Sequence, residues 1–288
     1  MADARALVRV PADSDVTLSV RPEEVPDLKP LTSLRPDDLQ GVLLGFSTVA
    51  DDDLVFLRGL THLKMLKIGP SSIGDDGMAH IEGLTELRGL DIRCTKVTSK
   101  GMMHVRGMTD LIELDLPATP VGDSGLSYLR NLSKLETLGL HDTQITDEGL
   151  AHLSELTSLR KLFVMETSVK GAGLPHLRYL PSLWLLNASC RQIDDSALKA
   201  FPYGFRSLSR LVLNDTSITG AGLVHLQHLS ELTYLSLRGT KLSDSESALS
   251  ALSTLTNLKS LSLTDTGLTR DQVKRLKDVI PDCIIYLY

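Results

Sequence analysis

Cysteine and aromatic residues are scarce in this 288-residue chain. Its three cysteines, Cys94, Cys190 and Cys283, are too few and too dispersed for a disulfide framework, so a reducing compartment and a cytoplasmic location are expected. With five Phe, six Tyr and one Trp, any sizeable core must be aliphatic. No apolar run reaches the roughly 18 residues that a membrane span requires, and Asp3, Arg5 and Arg9 interrupt the stretch where a secretory signal would be apolar. The 30 Lys and Arg are outnumbered by 36 Asp and Glu, for a formal charge of -6. Without a basic stripe, nucleic-acid binding is not expected. A Gly-rich phosphate loop with its Lys, a Gly-x-Ser-x-Gly elbow and a His-Glu-x-x-His motif are all missing. Neither a catalytic residue nor a cofactor nor a metal is therefore expected.

What the chain has in abundance is leucine at a fixed interval. Leu135, Leu138, Leu140, Ile145, Leu150, Leu153 and Leu156 return 24 residues later as Leu159, Leu162, Val164, Val169, Leu174, Leu177 and Leu180. Ten units start at Asp37, Thr61, Thr85, Thr109, Ser133, Thr157, Pro181, Arg206, Ser230 and Thr256. The seventh carries one extra residue near Pro202 to Phe205 and the ninth two between Ser243 and Ala248. The seven positions are apolar in every unit, whereas a composition of 42% hydrophobic residues would fill fewer than half of them by chance. Such a period signals stacked supersecondary units. Cys94 and Cys190 occupy equivalent places four units apart, about 19 Å at roughly 4.8 Å per strand, and cannot bridge.

Within a unit, Leu138-Gly139-Leu140 alternates with period two and reads as a short strand, while Leu150, Leu153 and Leu156 follow helical spacing after the cap-like turn Thr146-Asp147-Glu148-Gly149. One such unit cannot hide its own leucines, but a stack buries a continuous column. Leu135, Leu138, Leu140, Thr143 and Ile145 with their counterparts make the chain resemble the leucine-rich repeat family over about residues 37 to 288. Thr at the turn and the Gly-Leu helix start are similar to bacterial members and, more distantly, to the repeat region of F-box substrate receptors. No F-box-like helical segment precedes the repeats. The resemblance implies an α/β, right-handed horseshoe solenoid with a concave parallel sheet and short convex helices. It also implies a module that binds a protein or peptide, or alternatively a substrate-recruiting or regulatory domain of a larger enzyme such as a ubiquitin-ligase-like complex. A monomer is expected.

Residues 1–36 lack the period. Ala6 to Val10 and Val16 to Val20 alternate across a Pro-Ala-Asp-Ser-Asp turn and suggest a hairpin cap. Residues 37–255 hold the repeats, and 256–288 the last unit and a C-terminal cap, with an amphipathic helix over Asp271 to Val279 and a closing strand from Ile284.

Three further columns recur. Ser47, Ser71, Thr95, Thr119, Thr143, Thr167, Thr216, Thr240 and Thr266 form a hydroxyl ladder at the turn, with Arg191 as its break. His80, His104, His152, His176 and His225 precede an inward helix residue and are more simply a tolerated half-exposed position than a metal row. Asp51, Asp75, Asp123, Asp147, Asp195 and Asp244 at helix starts suit the helix dipole and read as a solvated acidic edge.

Strand residues between the inward leucines must face the concave side. Early units place Lys67, Asp91, Arg93, Glu113 and Asp115 there. From the sixth unit Phe163, Met165, Leu185, Val212 and Tyr234 take these places, with Trp184 at a strand entrance and Arg191, Arg210 and Arg238 nearby. Apolar groups ringed by Arg within a patch about 15 Å across match the requirements of a protein-binding hot spot. The partner-binding residues are accordingly expected to be Phe163, Met165, Trp184, Leu185, Arg191, Arg210, Val212, Tyr234 and Arg238. Rule-breaking in the seventh unit, where Ala197 replaces a usual Gly, points to the same region.

Overall fold

A computed structural model describes residues 15–20, 27–242 and 245–287. They form one sheet of twelve parallel strands in chain order: β1 (Thr17–Ser19), β2 (Gly41–Leu43), β3 (Met65–Lys67), β4 (Gly89–Asp91), β5 (Glu113–Asp115), β6 (Thr137–Gly139), β7 (Lys161–Phe163), β8 (Leu185–Asn187), β9 (Arg210–Val212), β10 (Tyr234–Ser236), β11 (Ser260–Ser262) and β12 (Ile284–Tyr286). Leu114, Leu138, Leu162, Leu186 and Leu211 pair in register and stack as a column with no exposed surface. This is the aliphatic core read from the repeat, and it runs through the stack as a single cluster.

The convex side is less helical than the spacing suggests. Asp75–Ile81 is α-helical, but Gly101–Val105, Leu174–Leu177 and Gly222–Leu226 are 3-10 turns. A 3-10 turn rises about 2.0 Å per residue against 1.5 Å for the α-helix, so it spans the same distance with fewer residues. Longer helices, Ser245–Ser253 and Arg270–Val279, appear only near the C-terminal end. In the last helix Val273 is half-buried and Val279 is 54% exposed.

At the N-terminal side β1 adds to the sheet in parallel to β2, so the Val16 to Val20 run is a sheet strand. The Ala6 to Val10 arm of the expected hairpin lies outside the described residues.

Two hydrogen-bonding devices recur along the stack, the first closing the turn within each unit and the second joining one unit to the next. The first is the hydroxyl ladder: Thr95 Oγ1 donates to the Ile92 carbonyl at 2.7 Å and Thr216 to Leu213 at 2.9 Å, and most other rungs repeat the bond. Directly before these rungs the chain turns through the left-handed region, as at Cys94, Ala118, Asp142 and Asp215, with φ between 51° and 54°. The unit-seven break has a different structure from the one expected. Cys190 itself turns inward, is buried, and its thiol donates to the Val164 carbonyl at 3.0 Å, leaving Arg191 outside. Thus Cys94 and Cys190, equivalent in sequence, are exposed and buried respectively. Burial pushes the Cys190 thiol pKa up.

The second device corrects the solvated-edge reading of the aspartates. Asp147 Oδ1 accepts the Gly171 and Gly173 amides of the next unit at 2.9 and 2.8 Å. Asp123 accepts the Thr146 amide at 2.8 Å, and Asp75 accepts the Thr98 and Gly101 amides at 2.7 and 3.0 Å. These half-buried carboxylates therefore satisfy orphan donors at the turns. Asp244 lies outside the described residues.

Each such Asp demands a Gly in the following unit. A Cβ on Gly77 would sit 2.5 Å from Asp51 Oδ1 and one on Gly101 2.5 Å from Asp75 Oδ1, while one on Gly149 would overlap Asp123 Oδ1. Unit six has Gly171 where the Asp usually stands, and a Cβ there would overlap Ala197 Cβ. The Ala197 irregularity is thus a packing compensation: the small residue moves to one unit and the larger to the next.

On the concave face of the early units Arg93 bridges Asp91 at 2.8 Å and Asp115 at 2.9 Å. Burial nevertheless raises the Asp115 pKa, with Asp91 and Glu113 adding to the rise and Arg93 opposing it.

Two measurements test this account. In urea unfolding, G149A should cost about 1–3 kcal/mol because Asp123 must abandon the Thr146 amide and hydroxyl. In the D123G background that cost should shrink by about 1 kcal/mol or more, since Gly171 and Ala197 show the swapped pair to pack. Equal costs in both backgrounds would refute the coupling. For Asp115, a raised folded-state pKa means that its contribution to stability is present below the ordinary aspartate value and is lost as pH rises through the folded-state value. The stability of D115N relative to wild type should therefore increase from acid toward neutral pH, and a decrease would contradict the assignment.

Candidate functional site

Because side chains alternate along a strand, the residues flanking each central leucine form rows across the trough. One row reads Thr137, Lys161, Leu185, Arg210, Tyr234, Ser260, and the next Gly139, Phe163, Asn187, Val212, Ser236, Ser262. Of the nine expected contact residues, Phe163, Leu185, Arg210, Val212 and Tyr234 stand in these rows. Met165 and Arg238 lie just past the ends of β7 and β10, Trp184 just before β8, and Arg191 in the turn beyond β8.

The rows bring these groups to one face, but not as one open apolar patch. Phe163, Met165, Trp184, Leu185, Val212 and Tyr234 are all half-buried, while Arg191, Arg210 and Arg238 are exposed. The Arg210 guanidinium stacks over the Tyr234 ring at 4.4 Å and the Lys161 ammonium over Trp184 at 5.6 Å. Such cation–π contacts place a positive charge over each ring. Asn187 separates Phe163 from Val212, so polar groups divide the apolar floor.

A 580 Å³ concavity lies at the strand-exit rim of units six to eight, and it takes in only Met165 and Arg191 of the expected set. The rest of its wall is Glu166, Thr167, Asn187, Ser189, Gln192, Asn214 and Asp215, none of them among the nine expected contact residues. Asn187 Oδ1 accepts from the Ser189 amide at 3.3 Å and its hydroxyl at 2.8 Å. Asn214 Oδ1 accepts from the Ser236 hydroxyl at 2.6 Å and the Arg238 amide at 3.1 Å. Since a backbone amide can only donate, these bonds fix which end of each side chain is oxygen. Neither Nδ2 group has a hydrogen-bond partner among the described residues.

The remaining columns do not converge. His104 pairs with Glu82 at 2.9 Å and His80 lies 2.6 Å from an Arg58 nitrogen, and among the described residues no three His, Cys, Asp or Glu side chains gather as metal ligands. No helix among those residues is long and apolar enough to cross a membrane.

Comparison with known proteins agrees with this architecture. No curated protein matches the sequence. Among solved structures, an internalin of Listeria monocytogenes superposes with a TM-score of 0.60 at 20% identity, covering 91% of this chain and 83% of that one. A leucine-rich repeat protein of Leptospira interrogans gives 0.59 at 18% identity, over 86% of this chain and 64% of that one. The ectodomain of the Arabidopsis receptor kinase HAESA, determined in complex with a peptide hormone, gives 0.51 at 18% identity. There the match covers 75% of this chain and only 36% of that one. The family model described as a leucine-rich repeat region matches residues 15–283, and with nearly the whole sequence accounted for, this chain belongs to the leucine-rich repeat family.

Proposed function

We propose that the chain is a non-catalytic recognition module that holds an extended peptide segment of a partner protein along the trough of units six to nine. The observation that carries this reading is the pair of Nδ2 donors on Asn187 and Asn214, without a hydrogen-bond partner among the described residues, in the wall of the 580 Å³ concavity. An extended peptide presents carbonyl oxygens that such donors can take without regard to side chain, and specificity then comes from what lies beside them. Met165 and Arg191 wall the concavity. Phe163, Leu185, Val212 and Tyr234 stand on the adjoining floor, with Trp184 at its entrance, and Arg210 and Arg238 are exposed beside them to pair with ligand carboxylates. The Arabidopsis ectodomain with its peptide hormone supports the reading in that this fold admits a peptide ligand.

The half-buried state of Phe163 and Trp184 suits them as preordered anchors, since little side-chain freedom remains to be lost on binding. A displayed library of random peptides selected on the wild-type protein supplies ligands for the test. F163A and W184A should each weaken the selected peptides by about 2 kcal/mol, roughly 30-fold in Kd, with thermal unfolding unchanged. Peptides that bind both variants as tightly as wild type would remove the trough from consideration.

A further inference from the structure

The most exposed large side chains in units six and seven lie outside the trough. Tyr179 and Tyr203 are 70% and 76% exposed, in the segments that lead from the convex turns back to β8 and β9. They flank a separate 550 Å³ hollow whose other charged or ionisable lining residues are Arg178, Arg206 and His228. No carboxylate lines it, although the chain as a whole carries a net charge of -6.

The extra residue of unit seven builds this hollow. Phe201 and Phe205 stack at 4.6 Å in the core and pin both ends of the inserted loop. The Phe205 amide donates to the Arg178 carbonyl at 3.2 Å, and Gly204 is pressed so closely on Arg178 that a Cβ would overlap both its side chain and its carbonyl. Tyr203 is thereby set beside Arg178 by backbone contacts. Arg178 in turn lays its guanidinium over the Tyr179 ring at 4.5 Å, and its buried Nε has no hydrogen-bond partner among the described residues. Other arginines, such as Arg35, Arg93, Arg160 and Arg275, lean on carboxylates. Arg178 and Arg206 have no ion-pair partner among the described residues.

We infer that this hollow is a second docking surface, distinct from the proposed trough, for an Asp- or Glu-rich segment of a protein partner. Carboxylates of that segment engage the Arg178 and Arg206 forks, and its apolar side chains lie on the Tyr179 and Tyr203 rings. An arginine whose position is set by a ring and a clamped loop gives up little freedom when it takes a carboxylate. Two arginines and one histidine match a few carboxylates in a row. A nucleic acid would have to run its phosphates past the acidic remainder of the chain, which repels it.

The probe is a fluorescent Glu/Tyr copolymer peptide, followed by anisotropy against the intact protein. Wild type should bind it, and raising the salt concentration should weaken binding. R206E, at an exposed position, and the R178E/R206E pair should lower affinity by about tenfold or more. K274E, a charge reversal of the same size on the last helix, should leave affinity within about twofold of wild type, and Y203A should weaken binding without altering thermal unfolding. F163A/W184A should bind the copolymer like wild type, so that failure here and failure of the trough reading are told apart. Lack of binding by wild type, equal loss in K274E and R206E, or displacement by inorganic phosphate or a single-stranded oligonucleotide at matched charge would each overturn the proposal.

Discussion

A unit of this length cannot enclose seven apolar side chains by itself, and every other feature of the molecule follows from that shortage. Each strand is completed by its neighbours' backbones and each leucine by its neighbours' leucines, at about 1.5–3 kcal/mol for every side chain fully withdrawn from water. Stability is therefore held in the interfaces between units. What recurs in the chain either serves those interfaces, as do Leu at the column, Asp at the helix start and Gly where that Asp must fit, or closes the turn within a unit, as does Thr.

The Asp and Gly positions show how tight this coupling is. An aspartate of one unit accepts amides of the next, and the next unit must keep a hydrogen atom where a methyl would strike that carboxylate. Where the aspartate is lost, at Gly171, the following unit regains a methyl at Ala197. At the turn where Arg191 stands in place of Thr, the thiol of Cys190 turns inward and donates to the Val164 carbonyl of the preceding unit, which Thr167 of that unit also engages. Departures from the repeat in unit seven are thus answered within the core, so irregularity alone does not mark a binding surface there. The inserted loop differs, because its consequences reach the surface: it seats Phe201 and Phe205 inside and puts Tyr203 outside.

Charge is arranged along the solenoid as well. In the early units the concave face is closed by its own ion pairs, with Arg93 between Asp91 and Asp115. In the later units two cations rest on aromatic rings, Arg210 on Tyr234 and Lys161 on Trp184, while Arg238 lies 3.9 Å from Asp265. A cation on a ring keeps its outward donors free for a ligand, while one between two carboxylates has already used them. This difference in partners, more than apolar exposure, separates the two halves of the trough.

The repeat period, the strands, the buried leucine column and the face to which Phe163, Leu185, Val212 and Tyr234 belong were legible from spacing, because alternation and stacking leave a residue in a strict repeat only one side to occupy. Spacing could not reveal what those side chains touch once there. Trp184 and Tyr234 are roofed by cations, the aspartates point at amides of the next unit rather than at water, and Cys94 and Cys190 face opposite ways from equivalent places. These outcomes depend on contacts between units and on the sign of a single backbone angle, and a one-dimensional pattern carries neither.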